Sequence, residues 1–284
     1  MTSTEIAAAK ATTLLESLPY IRAWRNRTIV VKIGGQALDD AALTALVAED
    51  LALLTLVGVR VVVVHGGGPQ VSAAMRSAGI EPSFVGGLRV TDDASMEIVR
   101  RVLIGSINND LVAALGAAGL RAVGLSGADG QVISAARLAG DLGNVGEVTS
   151  VRTDLMSVLL NDGYTPVVAS VAPGPDGAPL NINADAISGA LAVALEAEKL
   201  VFLTNVDGLY ADLGDAGSLI SELKAGELLA MSVGLSEGMR PKATAILAAL
   251  EAGVGKAHIL DGRVPHALLL EIFTDEGIGT QVLP

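Results

Sequence analysis

The segment VRVVVV, residues 59–64, carries valine at five of its six positions. A strand with one wet face would alternate polar and apolar residues. This one offers apolar side chains both ways, so it belongs inside a sheet covered on each side, as in a mostly parallel α/β sheet. HGGGPQ (65–70) follows directly, and its glycines open a helix starting near Pro69, a residue suited to the first helical turn. Backbone N–H groups at such a terminus bind phosphate or carboxylate. The segment is not the G-x-x-x-x-G-K-[ST] loop, because no lysine follows the glycines, and positive charge must come from elsewhere in the chain. His65 reads as a side chain that shapes the loop.

The same alternation of strand and helix runs on in both directions. Strands are predicted at 28–32, 121–126, 165–170, 199–204 and 256–260, and helices at 40–57, 69–78, 93–119, 184–197, 222–231 and 241–252. Residues 127–150, rich in Gly and Asp, read as a hairpin excursion, and 171–181 as a turn-rich loop. The expected fold is an αβα sandwich of three layers in two lobes, with the change of lobe between about 185 and 198. Residues 4–25 read as one amphipathic helix on Ile6, Leu14, Leu15, Leu18, Ile21 and Trp24, standing ahead of the first strand as an arm.

Composition removes several classes of function. A formal charge of −12 gives no basic field for a polyanion, and seven aromatic residues among 284 provide no platform for stacking bases, so nucleic acid is not expected as a partner. With no cysteine there are no disulfides or thiolate sites, and the three histidines have no ligand spacing, so no metal site is expected in the protein. No stretch reads as a signal peptide or a membrane span, and the expected location is the cytoplasm.

In open α/β sheets, ligands bind beyond the carboxyl ends of the strands, and four segments there stand out. In VVKIGG (30–35), Lys32 ends an otherwise buried strand, where an unpaired ammonium costs several kcal/mol, so it should meet an anion; Gly34 and Gly35 let backbone donors approach the same anion. HGGGPQ contributes Gly67 and Gly68. In GLRVTD (87–92), Arg89 offers a fork for a substrate carboxylate ahead of a helix capped near Thr91 or Asp92. NINADA (181–186) places Asn181, Asn183 and Asp185 at a helix start, where capping needs only one such residue. Lys242, behind Gly238 and Pro241, stands at a helix start against the dipole preference, consistent with a negative ligand.

Taken in order, VVKIGG, VVVVHGGGPQ, GLRVTD, VGLSGADG, NINAD, FLTNVDGLY, GMRPK and AHILDGRVPHALLLEIFTDEGIGT resemble the amino acid kinase family, and within it the members that phosphorylate N-acetyl-L-glutamate in arginine biosynthesis. The resemblance covers the chain from about residue 28 to its end. It implies a phosphotransferase with a carboxyl acceptor, using ATP with Mg2+ held mainly by the ATP phosphates. It gives Lys32 and Lys242 the phosphoryl group in flight, with Asp185 holding both lysines. Gly34, Gly35 and Gly67 would face the phosphate, and Gly67, Gly68, Arg89 and Asn181 the acetylated acid. Asn205, Asp207, Gly208, Leu209, Tyr210 and Gly238 would face the nucleotide. The implied units are an arm at 1–27, an acid-binding lobe at 28–195 and a nucleotide-binding lobe at 196–284.

The arm is similar to the helix that interlaces dimers into hexamers in arginine-inhibited members. It implies a homo-oligomer with a dimer core, and L-arginine as effector near His266, Glu271 and Gly279. The resemblance also brings in a nitrogen-signalling protein as a further candidate partner. Departures from the family pattern are Asn205 for an aspartate, Arg240 for an apolar residue, Gln36 for an asparagine, and GSINND (105–110) without the usual lysines. The rival readings are a sister kinase acting on acetylaminoadipate, glutamate, aspartate or carbamate, and a non-catalytic arginine-binding regulator. A dinucleotide-dependent dehydrogenase would want G-x-G-x-x-G after the first strand, which KIGGQAL does not supply.

Overall fold

The computed structural model describes residues 2–34, 36–212, 214–274 and 277–284. Two helices, α1 (Ser3–Glu16) and α2 (Leu18–Trp24), precede the first strand, where a single helix was expected. The break falls at Ser17, whose N–H and hydroxyl both turn back onto α1 carbonyls, and Pro19 lies in the first turn of α2. Trp24 is buried, whereas Leu14 and Leu15 of α1 lie exposed.

From there strands and helices alternate as β1 (Thr28–Ile33), α3 (Gln36–Asp39), α4 (Ala41–Leu56), β2 (Arg60–His65) and α5 (Gly68–Ser77). A short hairpin follows, β3 (Phe84–Val85) and β4 (Leu88–Arg89), then α6 (Asp93–Arg100), a π-helical stretch at Arg101–Asn108, and α7 (Asn109–Ala117). Next come β5 (Ala122–Leu125), β6 (Ile133–Arg137), β7 (Val145–Val151), α8 (Asp154–Asn161), β8 (Thr165–Ala169), β9 (Val171–Pro173), β10 (Pro179–Ile182) and α9 (Ala184–Ala194). The rest comprises β11 (Lys199–Thr204), β12 (Leu209–Tyr210), β13 (Leu219–Ile220), β14 (Glu222–Lys224), α10 (Ala225–Met231), α11 (Arg240–Glu251), β15 (Lys256–Asp261), α12 (Ala267–Phe273) and β16 (Thr280–Leu283).

Among the described residues the main sheet has eight strands in the order β14-β16-β15-β11-β1-β2-β8-β5. Each pair is parallel except β15 with β16. The excursion at 127–150 forms β6 and β7, which join β10 and β9 in a second sheet.

Strand parity sorts the core into two faces. Ile29, Val31 and Ile33 of β1 pack with Val61 and Val63 of β2 and with Leu51 and Leu54 of α4. Val30 packs on the other face with Val62, Val64, Ile187 and Leu191 of α9 and Ile246 of α11. Lys32 shares the parity of Val30, so it points to the face covered by α9. That parity decides which carboxylate it meets.

Candidate active site

Asp185 stands in the first turn of α9, which is capped by Asn183: its Oδ1 accepts from the N–H groups of Asp185 at 2.7 Å and Ala186 at 3.3 Å. With the cap supplied by Asn183, the other two polar residues of NINADA are released for different work. Asn181 donates through Nδ2 to Thr91 Oγ1 at 3.2 Å. Asp185 turns to the lysines. Lys32 Nζ lies 3.0 Å from its Oδ1, an ionic contact off the hydrogen-bond axis, and Lys242 Nζ donates to its Oδ2 at 3.1 Å.

Burial pushes the Asp185 pKa up, but Lys32 and then Lys242 outweigh it and hold the carboxyl below its usual range. At Lys242 burial wins, and its pKa is lowered in spite of Asp185. Two ammonium groups and one carboxylate leave the cluster with one net positive charge, in a setting where all three side chains are nearly buried. Such a cluster is matched to an anion. Lys242 also donates to Gly238 O at 3.2 Å, which fixes the turn ahead of α11.

Lys32 and Asp185 line a cleft of about 280 Å³, together with Gly34, Gly67, Gly68, Arg89 and Asn181. Gly34 donates its N–H to Leu203 O at 3.1 Å, and a Cβ added there would lie 2.5 Å from Lys32 Nζ. The missing side chain is what leaves room for the ammonium. Gly67 is equally constrained, since a Cβ would run into Ile107 and Leu103 of the π-helical stretch; at Gly68 it would meet open space. Gly35 lies outside the described residues.

Arg89 on β4 is buried with its guanidinium at the cleft wall. It donates to Gly68 O at 2.8 Å and Ser72 Oγ at 2.7 Å, and it stacks 4.7 Å from the Phe84 ring centroid. Burial, with a smaller contribution from Arg76, lowers its pKa. Nη1 meets Met75 Sδ at 3.2 Å, and among the described residues the guanidinium pairs with no carboxylate, so its positive charge at the cleft wall is left for an acidic ligand. The helix beyond is capped by Asp92, which accepts from Ser95 N–H at 2.8 Å.

His65 is fully buried at the end of β2. Asn108 Nδ2 donates to its Nε2 at 2.9 Å and to Val167 O at 2.9 Å, which leaves Nδ1–H to donate to Gly66 O at 2.9 Å. Burial lowers its pKa to about 4, and nearby Lys32 adds to this. The ring is neutral and shapes the loop.

Residues 27–261 match the family model described as the amino acid kinase family. The acetylglutamate kinase of Symbiobacterium thermophilum is 51% identical over 288 residues, covering 98% of each chain. That of Acidothermus cellulolyticus is 50% identical over 287 residues, covering 97% of each.

This chain belongs to the amino acid kinase family.

Within the family it groups with the acetylglutamate kinases. Among solved structures, the N-acetylglutamate synthase of Neisseria gonorrhoeae, complexed with coenzyme A and N-acetyl-glutamate, superposes with a TM-score of 0.87 at 29% identity. The match spans 96% of this chain and 63% of that longer one.

The remaining predicted residues of this kinase lie in two other places. Asn205 and Asp207 are exposed beyond β11, and Tyr210 donates to Asp207 Oδ2 at 2.6 Å. Gly208 packs against Thr280, whose hydroxyl accepts the Leu209 N–H at 2.8 Å; the Leu209 side chain enters the core, so that residue offers only backbone outward. Glu271 and Gly279 line a pocket of about 570 Å³ with Tyr20 and Trp24 of α2.

His266 is not part of that group. It caps α12 in a left-handed conformation (φ 58°), and its Nδ1 meets Asp50 Oδ1 of α4 at 2.6 Å. The histidine that does line the pocket is His258, and sequence reading missed it together with Lys199. Lys199 is completely buried, donates to Glu271, and lies beneath the Trp24 ring. The signal available in the sequence was a lysine on an otherwise apolar strand, as at Lys32. Of the departures, Arg240 donates to Leu235 O at 2.9 Å, and GSINND supplies the Asn108 that holds His65.

Proposed function

We propose that Lys32, Lys242 and Asp185 form the phosphoryl-transfer centre of this acetylglutamate kinase, with the acid held by Arg89, Asn181, Gly67 and Gly68. The observation that carries this is a nearly buried cluster of net positive charge whose Lys32 and Asp185 line the same cleft as the Arg89 guanidinium. The γ-carboxyl of N-acetyl-L-glutamate has an ordinary pKa of about 4.3 and is already an anion at neutral pH, so no general base is needed. One of its oxygens attacks the γ-phosphorus of ATP while the bond to the bridging β,γ-oxygen breaks. ADP leaves with that electron pair, and the product is an acyl phosphate.

The chemical difficulty is bringing anions together and stabilising a metaphosphate-like transition state, which positioning and fixed charge accomplish. Each lysine is expected to supply about 3 kcal/mol of that stabilisation, the scale of one donor at an oxyanion site. Mg2+ enters with ATP, held mainly by its phosphates, since it retains waters and takes few protein ligands, and Asp185 is already engaged by two ammonium groups.

In this reading residues to 195 hold the acid and 196–284 the nucleotide, through Asn205, Asp207, Gly208, Leu209, Tyr210 and Gly238. The acid pocket takes the β2 side of β1, which leaves the β11 side for ATP. The pocket holding Glu271 and Gly279 against Tyr20 and Trp24 takes L-arginine as a feedback inhibitor, and the exposed leucines of α1 join dimers into a larger assembly. A structure of the gonococcal synthase contains L-arginine, which supports the effector reading. Among the described residues no helix is long and apolar enough to cross a membrane, and the reading places the enzyme in the cytoplasm.

The test is ADP release from Mg-ATP with N-acetyl-L-glutamate beside its one-carbon-longer homologue, each with and without L-arginine. Turnover confined to acetylglutamate and reduced by arginine is the expected result. Turnover of the longer acid alone would transfer the assignment to a sister kinase, and none with either would leave a regulatory binder.

A further inference from the structure

The loops beyond β1, β11 and β15 are stitched together at their carboxyl ends. Gly34 N–H reaches Leu203 O at 3.1 Å, and Gly262 N–H reaches Thr204 O at 2.7 Å. Past the second stitch lies Arg263, a residue that none of the assigned roles uses. Arg263 closes a fork on Asp261, with Nε 2.8 Å from Oδ1 and Nη2 2.7 Å from Oδ2, while its own N–H donates to Oδ1 at 2.9 Å. The same Nη2 extends across to Asp207 Oδ1 at 3.4 Å, and Tyr210 donates to the other oxygen of Asp207 at 2.6 Å.

We infer that Arg263 is the positioning residue for the nucleotide: gripped by Asp261, it holds Asp207 and so fixes the 205–208 turn. The inference rests on the reading that ATP occupies the β11 side of β1. Two facts favour this over a merely local turn lock. The fork to Asp261 alone would hold the β15 loop, yet the guanidinium reaches a second strand end. And Arg263 contacts both Asp207 and Asp261, so one guanidinium offsets half of the negative charge of two carboxylates at the strand ends where the reading puts the nucleotide. Arg263 does not contact the reacting atoms, and its effect is transmitted through Asp207.

The experiment is calorimetric titration of Mg-ADP, with KM for ATP and for acetylglutamate measured beside it, in wild type, Arg263→Gln, Arg263→Lys and Asp207→Asn, and in Arg263→Gln combined with Asp207→Asn. Loss of one solvent-exposed ion pair corresponds to roughly two- to fivefold in binding. Arg263→Gln is expected to weaken Mg-ADP and raise KM for ATP by about that factor, with KM for acetylglutamate unchanged. Arg263→Lys, which keeps the charge and loses the fork, should fall between. In the Asp207→Asn background the Arg263→Gln effect should shrink, because the two residues act as a unit. Unchanged Mg-ADP affinity in a folded Arg263→Gln or Arg263→Lys protein, or a full effect in the Asp207→Asn background, overturns the inference. A wild-type protein that neither binds Mg-ADP nor releases it from ATP overturns the kinase-site reading instead.

Discussion

Lys32 and Lys242 reach opposite oxygens of one carboxylate, Oδ1 of Asp185 at 3.0 Å and Oδ2 at 3.1 Å, although they enter from different elements, a strand end and the first turn of a helix. Asp185 thus sets the distance between two cations that would otherwise repel. Lys32→Gln and Lys242→Gln are each expected to lower kcat about 10²–10³-fold. Asp185→Asn strikes both the chemistry and the fold, because it leaves two nearly buried ammonium groups without a counter-charge. A loss of about 3–5 kcal/mol in urea unfolding should accompany the fall in rate.

Gly34→Ala probes the same centre without touching a charge. The new methyl would lie 2.5 Å from Lys32 Nζ, the far end of a flexible side chain that can swing aside. Steady-state kinetics should show a fall in kcat while the melting temperature stays nearly constant. Equal losses in both would mean that Gly34 serves packing.

Arg89→Lys keeps the positive charge and removes the planar group that Gly68 O and Ser72 Oγ hold in place. KM for acetylglutamate should rise about tenfold while KM for ATP holds, since an ammonium cannot keep those contacts and present the same charge to the cleft. A rise in both constants together would place Arg89 outside the acid pocket.

The acid limb of stability has an identifiable source in Glu271. Burial pushes its pKa up, but His258 and Lys199 outweigh this and hold it at about 2, well below the ordinary 4.5. A depressed carboxyl contributes stability that is present above the unfolded value and lost as pH falls through the folded one, so the loss runs between pH 4.5 and about 2. Lys199 gives the same slope in another window: burial lowers it to about 8, so between that pH and 10.5 the unfolded chain binds the extra proton and stability again rises with pH. Thermal melts across pH should show Glu271→Gln with a flatter acid limb and a lower plateau.

Deleting residues 2–16 removes α1 and its exposed leucines while leaving buried Trp24 in place. Size-exclusion chromatography with light scattering should show a smaller oligomer that still turns over. An unchanged mass would take the arm out of the assembly.

How far these features were legible depended on whether a local pattern carried them. The unbroken valines of β2 identify a doubly covered strand, and the position of Lys32 on β1 gives its face by parity alone. The cap at Asn183 follows from residue type. Short pieces such as β9, β12 and β13 have too few residues for any period to register. The π-helical stretch at 101–108 has an ordinary helical composition; its extra residue per turn coincides with the insertion of Asn108 between His65 and Val167 O, a contact with partners 43 and 59 positions away. Likewise Lys199 finds Glu271 at a separation of 72 residues, and His266 finds Asp50 at 216, distances at which sequence spacing carries no information. The expected single arm helix broke where Ser17 folded its own hydroxyl back on Leu14 O.

The only tryptophan of the chain is Trp24, whose ring faces Lys199 Nζ at 5.8 Å and Lys256 Nζ at 5.5 Å on the wall of the arm pocket. Excited selectively at the red edge of protein absorption, the molecule therefore emits from one address. Its fluorescence is a built-in, label-free gauge of whether the arm is seated and whether anything has entered beside Glu271, readable in a cuvette without a coupled assay.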